Sequence, residues 1–372
     1  MADGLLSSHI ASKQVSYFSM VTTQVFCISS LLSIWLGAHL ASSLAFQLPN
    51  FRMPWNERSN NVPLTNSNVL QAGDTVAVIG ASGNVGKLVA LRLSDTYKVN
   101  AIVRDASNVM PFFADRNIEL FEVDLLEELS NADSSSCPPS LSQALSKANA
   151  IVICTGTTAF PTKAWSRKDD REVSSDVIKA LLESKFDVMG AMKLLSGKGL
   201  NTPQNVDDIG NKLIYNAWNN AVAVPQKRAL LLSSIGVQRR TQMPFPILNF
   251  CGVLDAKASA EESLIDNAKI RGYKYTIIRP GQLFGGPYDN NYYLGTLFQL
   301  DKDSQTQDVK VGLGDELLGD TLRSTLAEVT AQVCEGNHAL DMDFAVINDK
   351  GNAPSIEGIQ NRLKALDSPV VE

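Results

Sequence analysis

The sequence has few of the residues that build metal centres and disulfide frameworks. Its 372 residues include only five cysteines and three histidines. Cys27, Cys137, Cys154, Cys251 and Cys334 are scattered, with no CxxC or Cys/His ligand spacing, so we expect no metal site. Cys27 lies in an N-terminal segment that we expect to be removed. The other four are expected to be free thiols, which favours a reducing compartment.

The sequence also lacks an excess of positive charge. A net charge of -6 and a pI near 5.3 argue against general nucleic-acid binding, which needs a basic surface. His9, His39 and His338 have no Ser/Asp context, so a hydrolase triad is not expected. The remaining composition, 44% hydrophobic and 19% charged, is typical of a globular α/β protein with a large core.

Asp, Glu, Lys and Arg are absent from Val25 to Ala45, an apolar stretch that contains His39 and ends in small residues. This pattern predicts a signal peptide over residues 1–45, with cleavage after Ala45. Met20 is an alternative start to Met1. The alternative to cleavage is a membrane anchor, since about 20 apolar residues can span a bilayer.

Residues 46–70 have the composition of a transit peptide or polar linker. Arg52 and Arg58 stand against one acid, Glu57, among many Asn and Ser residues. The junction Ala45-Phe46 resembles the bipartite plastid presequence of diatoms and related algae. The sequence therefore predicts a plastid (chloroplast) protein, and the alternatives are a membrane-anchored or a secreted protein.

Seven short apolar runs predict β-strands. Helical patterns lie between them, as βαβ units require. We therefore expect an α/β fold, a doubly wound parallel sheet of the Rossmann type, over residues 71–350, with a small substrate-side region towards its C-terminus. A helix or tail is expected over 351–372. The predicted strands are Thr75–Ile79, Val99–Val103, Ile118–Val123, Ala150–Cys154, Ala229–Ser233, Tyr275–Ile278 and Phe344–Ile347.

Two segments are predicted insertions between these units. Asn131 to Ser140 is a Ser/Pro-rich loop. Ser166 to Leu200 begins with a charged run and predicts two helices, from about Ser174 to Glu183 and from Val188 to Leu195. We expect a solvated excursion there, and the alternatives are a lid over the active site or an error in the gene sequence.

A glycine-punctuated turn follows the first strand. The spacing GxxGxxG differs from the GxGxxG dinucleotide fingerprint, but its glycines meet the same physical needs. Gly80 permits a tight turn, Gly83 lets the backbone approach a pyrophosphate, and Gly86 lets the helix pack closely on the strand. The N–H groups at the helix start can then bind phosphate. The predicted cofactor-binding residues of the turn are Gly80, Ser82, Gly83, Asn84, Val85 and Gly86.

The end of the second strand indicates which dinucleotide is preferred. Arg104 follows the apolar run directly, where a guanidinium can hold the 2′-phosphate of NADP. Asp105 is a rival that would favour NAD instead. We expect NADP, with NAD as the alternative.

Together with downstream motifs, the turn resembles the atypical short-chain dehydrogenase/reductase superfamily over about residues 75–350. The motifs include EVDL at Glu122–Leu125, TGTTAFP at Thr155–Pro161, NTP at Asn201–Pro203, VDDIGN at Val206–Asn211, SSIGV at Ser233–Val237 and IIRPGQL at Ile277–Leu283. The resemblance implies further cofactor contacts at Asp124, Leu125, Thr155, Gly156, Lys257, Pro280 and Gly281.

The order of these motifs is most similar to a subgroup of plant and algal plastid proteins that bind NAD(P). That subgroup is related to a dehydrogenase-like component of the plastid import machinery and to photosystem assembly factors. In the subgroup TTAFP and NTP lie close together, whereas Ser166 to Leu200 separates them here. The resemblance therefore implies nothing about the insertion.

Reductases of the superfamily use a Tyr-x-x-x-Lys pair for proton transfer. Here Lys257 is present, but Val253 stands where the tyrosine is expected, and valine cannot donate a proton. Ser233 and Ser234 are the serine candidates. A substitute acid could come from the loop tyrosines, although ordinary loop aromatics are the simpler interpretation. They are Tyr288, Tyr292 and Tyr293.

Three functions are compatible with this pattern. The first is an NADP-dependent oxidoreductase or isomerase acting on a small metabolite. The second is a non-catalytic nucleotide-binding redox sensor, or an assembly factor that binds a thylakoid protein complex. The third is a membrane-anchored protein with this domain as its soluble part. The valine at position 253 favours the second, and the sequence determines neither the substrate nor the oligomeric state.

Overall fold

The computed structural model describes residues 69–107, 109–127, 139–167, 172–285 and 306–367. The predicted signal and transit segments lie outside these residues, apart from the last two residues of the second segment. Most of the Ser/Pro-rich loop and the three loop tyrosines also lie outside them.

The central sheet has eight strands in the order β3-β2-β1-β4-β5-β6-β10-β8. All neighbouring strands are parallel except β8, which pairs antiparallel with β10. A separate parallel pair joins β7 to β9. The strands are β1 Thr75–Ile79, β2 Lys98–Val103, β3 Ile118–Glu122, β4 Ala150–Ile153, β5 Arg228–Leu232, β6 Lys274–Pro280, β7 Gln282–Phe284, β8 Asp308–Leu313, β9 Asp320–Leu322 and β10 Met342–Asp349.

The structure confirms the doubly wound α/β fold and all seven predicted strands. The difference lies near the C-terminus, where β7, β8 and β9 were not predicted. β8 carries only one fully buried residue, Val309. An antiparallel edge strand of this kind lacks the continuous apolar run that marks the central strands.

Helices cover both faces of the sheet. The helices are α1 Asn84–Leu93, α2 Met110–Phe113, α3 Pro139–Leu145, α4 Ser174–Glu183, α5 Val188–Gly197, α6 Asn211–Ala221, α7 Phe245–Leu248, α8 Val253–Arg271, α9 Arg323–Glu335 and α10 Ile356–Leu366. A π-helical turn, Gln204–Gly210, leads into α6. No helix in the described ranges combines the length and apolar character needed to cross a membrane.

Alternate residues of β1 enter two separate cores, because successive side chains of a strand point to opposite faces. Val76 and Val78 pack with α1 and α9, whereas Ala77 and Ile79 pack with α3, α6 and α8. The C-terminal helix α10 contributes to the first core. Strand order reverses at β1, whose neighbours are β2 and β4. Ligands of open α/β sheets bind at such switch points, beyond the carboxyl ends of the strands.

The insertion forms the two predicted helices, α4 and α5. Their inner face is not simply solvated, since Ala180, Ala191 and Leu195 are fully buried in a cluster with Trp165. The helix pair is therefore a packed unit with its own small core. Its outer face exposes Ile178, Leu182, Phe186 and Met189.

Candidate functional site

The glycine turn between β1 and α1 has the geometry that the sequence predicts. Gly80 adopts a left-handed conformation with φ of 76°, which side chains disfavour. A Cβ added to Gly86 would lie 2.1 Å from the carbonyl oxygen of Gly80. The helix can approach the turn this closely only because residue 86 has no side chain.

The N-terminus of α1 is suited to an anion. Its first turn contains no acidic residue, and no side chain caps it. Gly83, directly before the helix, is exposed, and Ser82, Asn84 and Val85 are partly exposed. The first N–H groups of a helix have no intrahelical acceptor and carry partial positive charge. These residues therefore fit the pyrophosphate of a dinucleotide.

Arg104 lies exposed at the carboxyl end of β2. Among the described residues, no ion pair or hydrogen bond engages its guanidinium. Its rival Asp105 accepts hydrogen bonds from the Ser107 backbone N–H and hydroxyl at 2.9 and 2.6 Å. The Asp105 carboxylate is thus engaged in a local turn, while the Arg104 guanidinium is available for a phosphate.

Asp124 follows β3 at the same sheet edge, with Leu125 partly buried beside it. One Asp124 carboxylate oxygen accepts the backbone N–H groups of Leu126 and Glu127 at 3.0 and 3.3 Å. The other accepts from Arg167 Nη2 at 2.5 Å. Sequence reasoning assigned no role to Arg167, because it begins a charged run whose simplest interpretation is a solvated surface.

The end of β4 brings Thr155 and Gly156 next to a buried ion pair. Lys257 Nζ, from α8, donates to Asp207 Oδ1 at 2.7 Å. Asp207 is fully buried and also accepts the Thr157 backbone N–H at 3.1 Å. A Cβ on the exposed Gly156 would lie 3.4 Å from both Lys257 Nζ and Asp207 Oδ1. The pair therefore lies directly beneath the surface at Gly156.

Burial raises the pKa of Asp207, and the neighbouring Lys257 ammonium opposes this effect. A lysine ammonium has three donors, so the bond to Asp207 leaves others for a ribose hydroxyl. Thr155 Oγ1 donates to Asn211 Oδ1 at 2.7 Å, which fixes the β4 loop to the start of α6. Sequence reasoning noted the VDDIGN motif that contains Asp207 and Asn211 but gave neither residue a role.

Ser233 and Ser234 directly follow β5 and lie in different environments. The Ser233 hydroxyl donates to Glu261 Oε1 at 2.5 Å, and both groups are buried. Glu261 also accepts two hydrogen bonds from Arg279, at 3.0 and 2.7 Å. Ser233 thus belongs to a buried ionic network. The Ser234 hydroxyl, which is partly exposed, donates to the backbone oxygen of Ile235 at 3.0 Å.

Val253 begins α8, one helical turn before Lys257, as the Tyr-x-x-x-Lys register requires. It is 5% exposed and packs with Val237, Phe245 and Leu254. The position that holds tyrosine in reductases is here part of an apolar cluster.

Pro280 and Gly281 join β6 to the small β7–β9 pair. The Pro280 carbonyl oxygen accepts the Ile235 N–H at 3.0 Å. A Cβ on Gly281 would lie 2.1 Å from the Gly319 carbonyl oxygen, so glycine permits close approach of two backbones. Both residues have clear packing roles at the site's edge.

The fold thus brings the sequence-predicted residues to one edge of the sheet in two groups. We call the first group, the glycine turn with Arg104 and Asp124, the adenosine end, after the part of a dinucleotide that the sequence predicts there. On the same expectation we call the second group, Gly156 and Lys257 with the surrounding buried network, the nicotinamide end. The adenosine end offers positive charge and open backbone, and it can hold a dinucleotide. No group of His, Cys, Asp and Glu side chains within the described ranges could hold a metal ion.

Solved structures with a similar fold are distant in sequence. An NAD-dependent epimerase/dehydratase from Bacillus halodurans is 18% identical, with a TM-score of 0.49, covering 79% of this chain and 100% of that one. An anaerobillin reductase from Escherichia coli O157:H7 is 14% identical, with a TM-score of 0.47, covering 76% and 100%. A short-chain dehydrogenase/reductase from Veillonella parvula in complex with NADP is 14% identical, with a TM-score of 0.41, covering 76% and 99%.

No curated protein matches the sequence significantly. A family profile described as NAD(P)H-binding matches residues 80–333. The match begins at Gly80, the first glycine of the turn, and spans more than half of the chain. On this match and the observed Rossmann-like fold, the chain belongs to the NAD(P)H-binding family.

Proposed function

We propose that this protein binds NADP(H) and acts as a nucleotide-binding module, either as a redox sensor or as an assembly factor for a thylakoid protein complex in a plastid. The preference for NADP(H) rests on Arg104. Its guanidinium is exposed and has no ion pair in the described part of the chain. The glycine turn that precedes α1 is suited to the pyrophosphate. Asp105, which would favour NAD, is engaged with Ser107.

The nicotinamide end supports the choice of a module over a conventional reductase. Val253 packs in an apolar cluster where tyrosine-dependent proton transfer needs a phenol. Ser233 donates to the buried Glu261, which leaves its hydroxyl poorly placed to orient a substrate carbonyl. The described part of the site thus lacks the tyrosine of the usual pair while keeping Lys257 and the residues that we propose hold the nucleotide.

A second function, an oxidoreductase acting on a small metabolite, has one observation in its favour. The Lys257–Asp207 pair lies immediately beneath Gly156, at the nicotinamide end. A lysine ammonium held by a buried carboxylate can bind ribose and carry a proton. The bound NADP(H) would supply the hydride.

The proposed plastid location is supported by the presequence alone. Its apolar segment, the Ala45-Phe46 junction and the polar stretch after it are the features of a bipartite signal and transit sequence. Fusion of residues 1–70 to a fluorescent protein, expressed in an alga with such plastids, tests this directly. Retention in the secretory pathway or at another membrane would contradict it.

The nucleotide proposal is tested by titrating the purified protein with NADPH and NADH and following thermal unfolding and binding heat. A ligand at about 100 times its Kd stabilises a protein by about 2.7 kcal/mol, so binding is readily detected. We expect NADPH to bind more tightly than NADH. Arg104→Ala should remove most of that difference, because NADH lacks the 2′-phosphate. Stabilisation by neither nucleotide would refute the proposal.

The two functions are separated by following NADPH absorbance with a panel of carbonyls and quinones. A module binds NADPH without oxidising it and co-purifies with a thylakoid complex. Turnover that disappears in Lys257→Met but persists in Lys269→Met, a change at an exposed lysine of the same helix, would establish the oxidoreductase instead.

A further inference from the structure

The insertion contributes a side chain to the adenosine end of the candidate site. Arg167 lies 43 residues after Asp124 in the sequence, and its Nη2 is 2.5 Å from Asp124 Oδ2. The two side chains are 27% and 22% exposed. This contact links the insertion to the carboxyl edge of β3.

The backbone that carries Arg167 is firmly held. Trp165, two residues earlier, is fully buried, and its indole N–H donates to the Thr158 carbonyl oxygen at 3.2 Å. The Asn201 side chain donates to the carbonyl oxygens of Ala164 and Ser166 at 3.1 and 3.0 Å. Arg167 therefore extends from a fixed anchor, and its direction is set by folding.

Asp124 holds this guanidinium at the carboxyl end of β3, and Arg104 directly follows the neighbouring strand β2. The Val123 N–H donates to the Val103 carbonyl oxygen at 2.8 Å, so the chain positions after β2 and β3 lie side by side. Arg104 follows Val103 directly, and Asp124 follows Val123. Two arginines, Arg104 after β2 and Arg167 in the insertion, thus lie near the carboxyl ends of neighbouring strands.

We infer that Arg167 is a second specificity residue for the 2′-phosphate of NADP(H), an inference that rests on the nucleotide binding proposed above. A guanidinium has five N–H donors, and the bond to Asp124 orients the group while leaving donors for phosphate oxygens. Charge-assisted bonds of this type are among the strongest that side chains make. The insertion then acts as part of the nucleotide site.

The test compares Arg167→Ala with a matched control by isothermal titration with NADPH, NADH, 2′,5′-ADP and 5′-AMP. The control is Arg116→Ala, which removes another arginine–aspartate pair, Arg116 with Asp95 at 3.1 Å, at the opposite end of β3. We expect Arg167→Ala to weaken NADPH and 2′,5′-ADP binding about tenfold, the effect of losing one charge-assisted phosphate contact. NADH and 5′-AMP binding should change less than about twofold, and Arg116→Ala should change none of the four.

Three outcomes decide against the inference. Wild-type protein that binds neither nucleotide refutes both this inference and the proposed function. A wild-type preference for NADPH that survives in Arg167→Ala refutes only the role of Arg167. Tighter binding of both nucleotides by the variant would mean that the ion pair obstructs the site. Should Arg167→Ala lower the melting temperature strongly, Arg167→Lys is used instead, because it keeps the charge without the planar fork. The ratio of the NADPH and NADH dissociation constants is then measured for this variant, and a ratio equal to that of the wild type would refute the role of Arg167.

Discussion

The two ends of the candidate site are built on contrasting principles. At the adenosine end, Gly83 and Arg104 are exposed, and the helix start has no capping side chain. At the nicotinamide end, Lys257 and Ser233 are already bonded to the buried carboxylates Asp207 and Glu261.

This contrast separates nucleotide binding from redox chemistry. Binding a dinucleotide needs close backbone approach and positive charge, which the adenosine end supplies. Hydride transfer with proton transfer needs a donor placed against the substrate, and at residue 253 the chain has an apolar side chain instead. On the proposed function, the chain keeps the end that binds the nucleotide, while the position of the tyrosine is occupied by a packed valine.

The largest expected effect comes from breaking the buried pair at the nicotinamide end. Asp207→Ala leaves the Lys257 ammonium without its partner and the Thr157 N–H without its acceptor. Loss of one partner of a buried pair costs about 3–5 kcal/mol in the free energy of unfolding, measured by urea denaturation. The matched Asp266→Ala, which removes an exposed pair on the same helix as Lys257, should cost no more than about 1 kcal/mol. Equal losses would contradict the assignment of a buried, structural pair.

The adenosine end should be most sensitive at Gly86. Gly86→Ala forces a methyl group into the Gly80 carbonyl oxygen, since the two would lie 2.1 Å apart. Displacing the turn should weaken NADPH binding at least about a hundredfold, equivalent to about 2.7 kcal/mol. Gly197→Ala is the control, because a Cβ there meets nothing within 4 Å. An unchanged Kd in Gly86→Ala would show that the nucleotide binds elsewhere.

Restoring the tyrosine should not restore a reductase. In Val253→Tyr the phenol must enter the cluster that contains Phe245 and Leu254, where Val253 is only 5% exposed. Such overpacking costs about 1–3 kcal/mol, whereas Ile270→Tyr, at an 80% exposed position of the same helix, should be nearly neutral. The measurements are urea denaturation and NADPH oxidation. A gain of oxidation without loss of stability would mean that tyrosine was the only missing element.

Alkaline pH should lower the free energy of unfolding gradually, through two buried thiols in different packed regions. Burial raises the pKa of the Cys251 thiol, in the cluster of the insertion, and of the Cys334 thiol, in the core with α1 and α9, to about 12 from a usual 9. The unfolded chain loses these protons above pH 9 and the folded chain retains them to about 12, so the stability present below pH 9 is lost as pH rises. Each thiol should lower the free energy of unfolding by about 1 kcal/mol per pH unit in this window.

The rates of alkylation at the two thiols report two packed regions separately, since Cys251 lies in the cluster of the insertion and Cys334 in the core with α1 and α9. Both should react slowly at pH 8 in the folded protein, and Cys251→Ala and Cys334→Ala should each reduce the alkaline loss of unfolding free energy. Rapid alkylation of Cys251 alone would show that the cluster of the insertion opens independently.

The sequence predicted the elements with strong local signals. The continuous apolar runs of the central strands, the glycine turn and the helices α4 and α5 were all identified from residue patterns. The edge strand β8 was missed, because it buries only Val309 fully and its residues follow no clear alternation. The solvated excursion expected at the insertion was also only half right, since the buried Trp165 anchors it.

The sequence by itself determined the glycine turn and the position of Arg104 at the end of β2. These features depend on local sequence. Gly80 and Gly86 are needed for the backbone conformation and packing of the turn, and Arg104 is identified by its place directly after a strand. Only the tertiary structure decided the partners of Lys257, Ser233 and Arg167. Asp207, Glu261 and Asp124 lie 50, 28 and 43 residues away from them along the chain. Contacts at such separations are set by how helices and the insertion pack on the sheet, a property that no local pattern encodes.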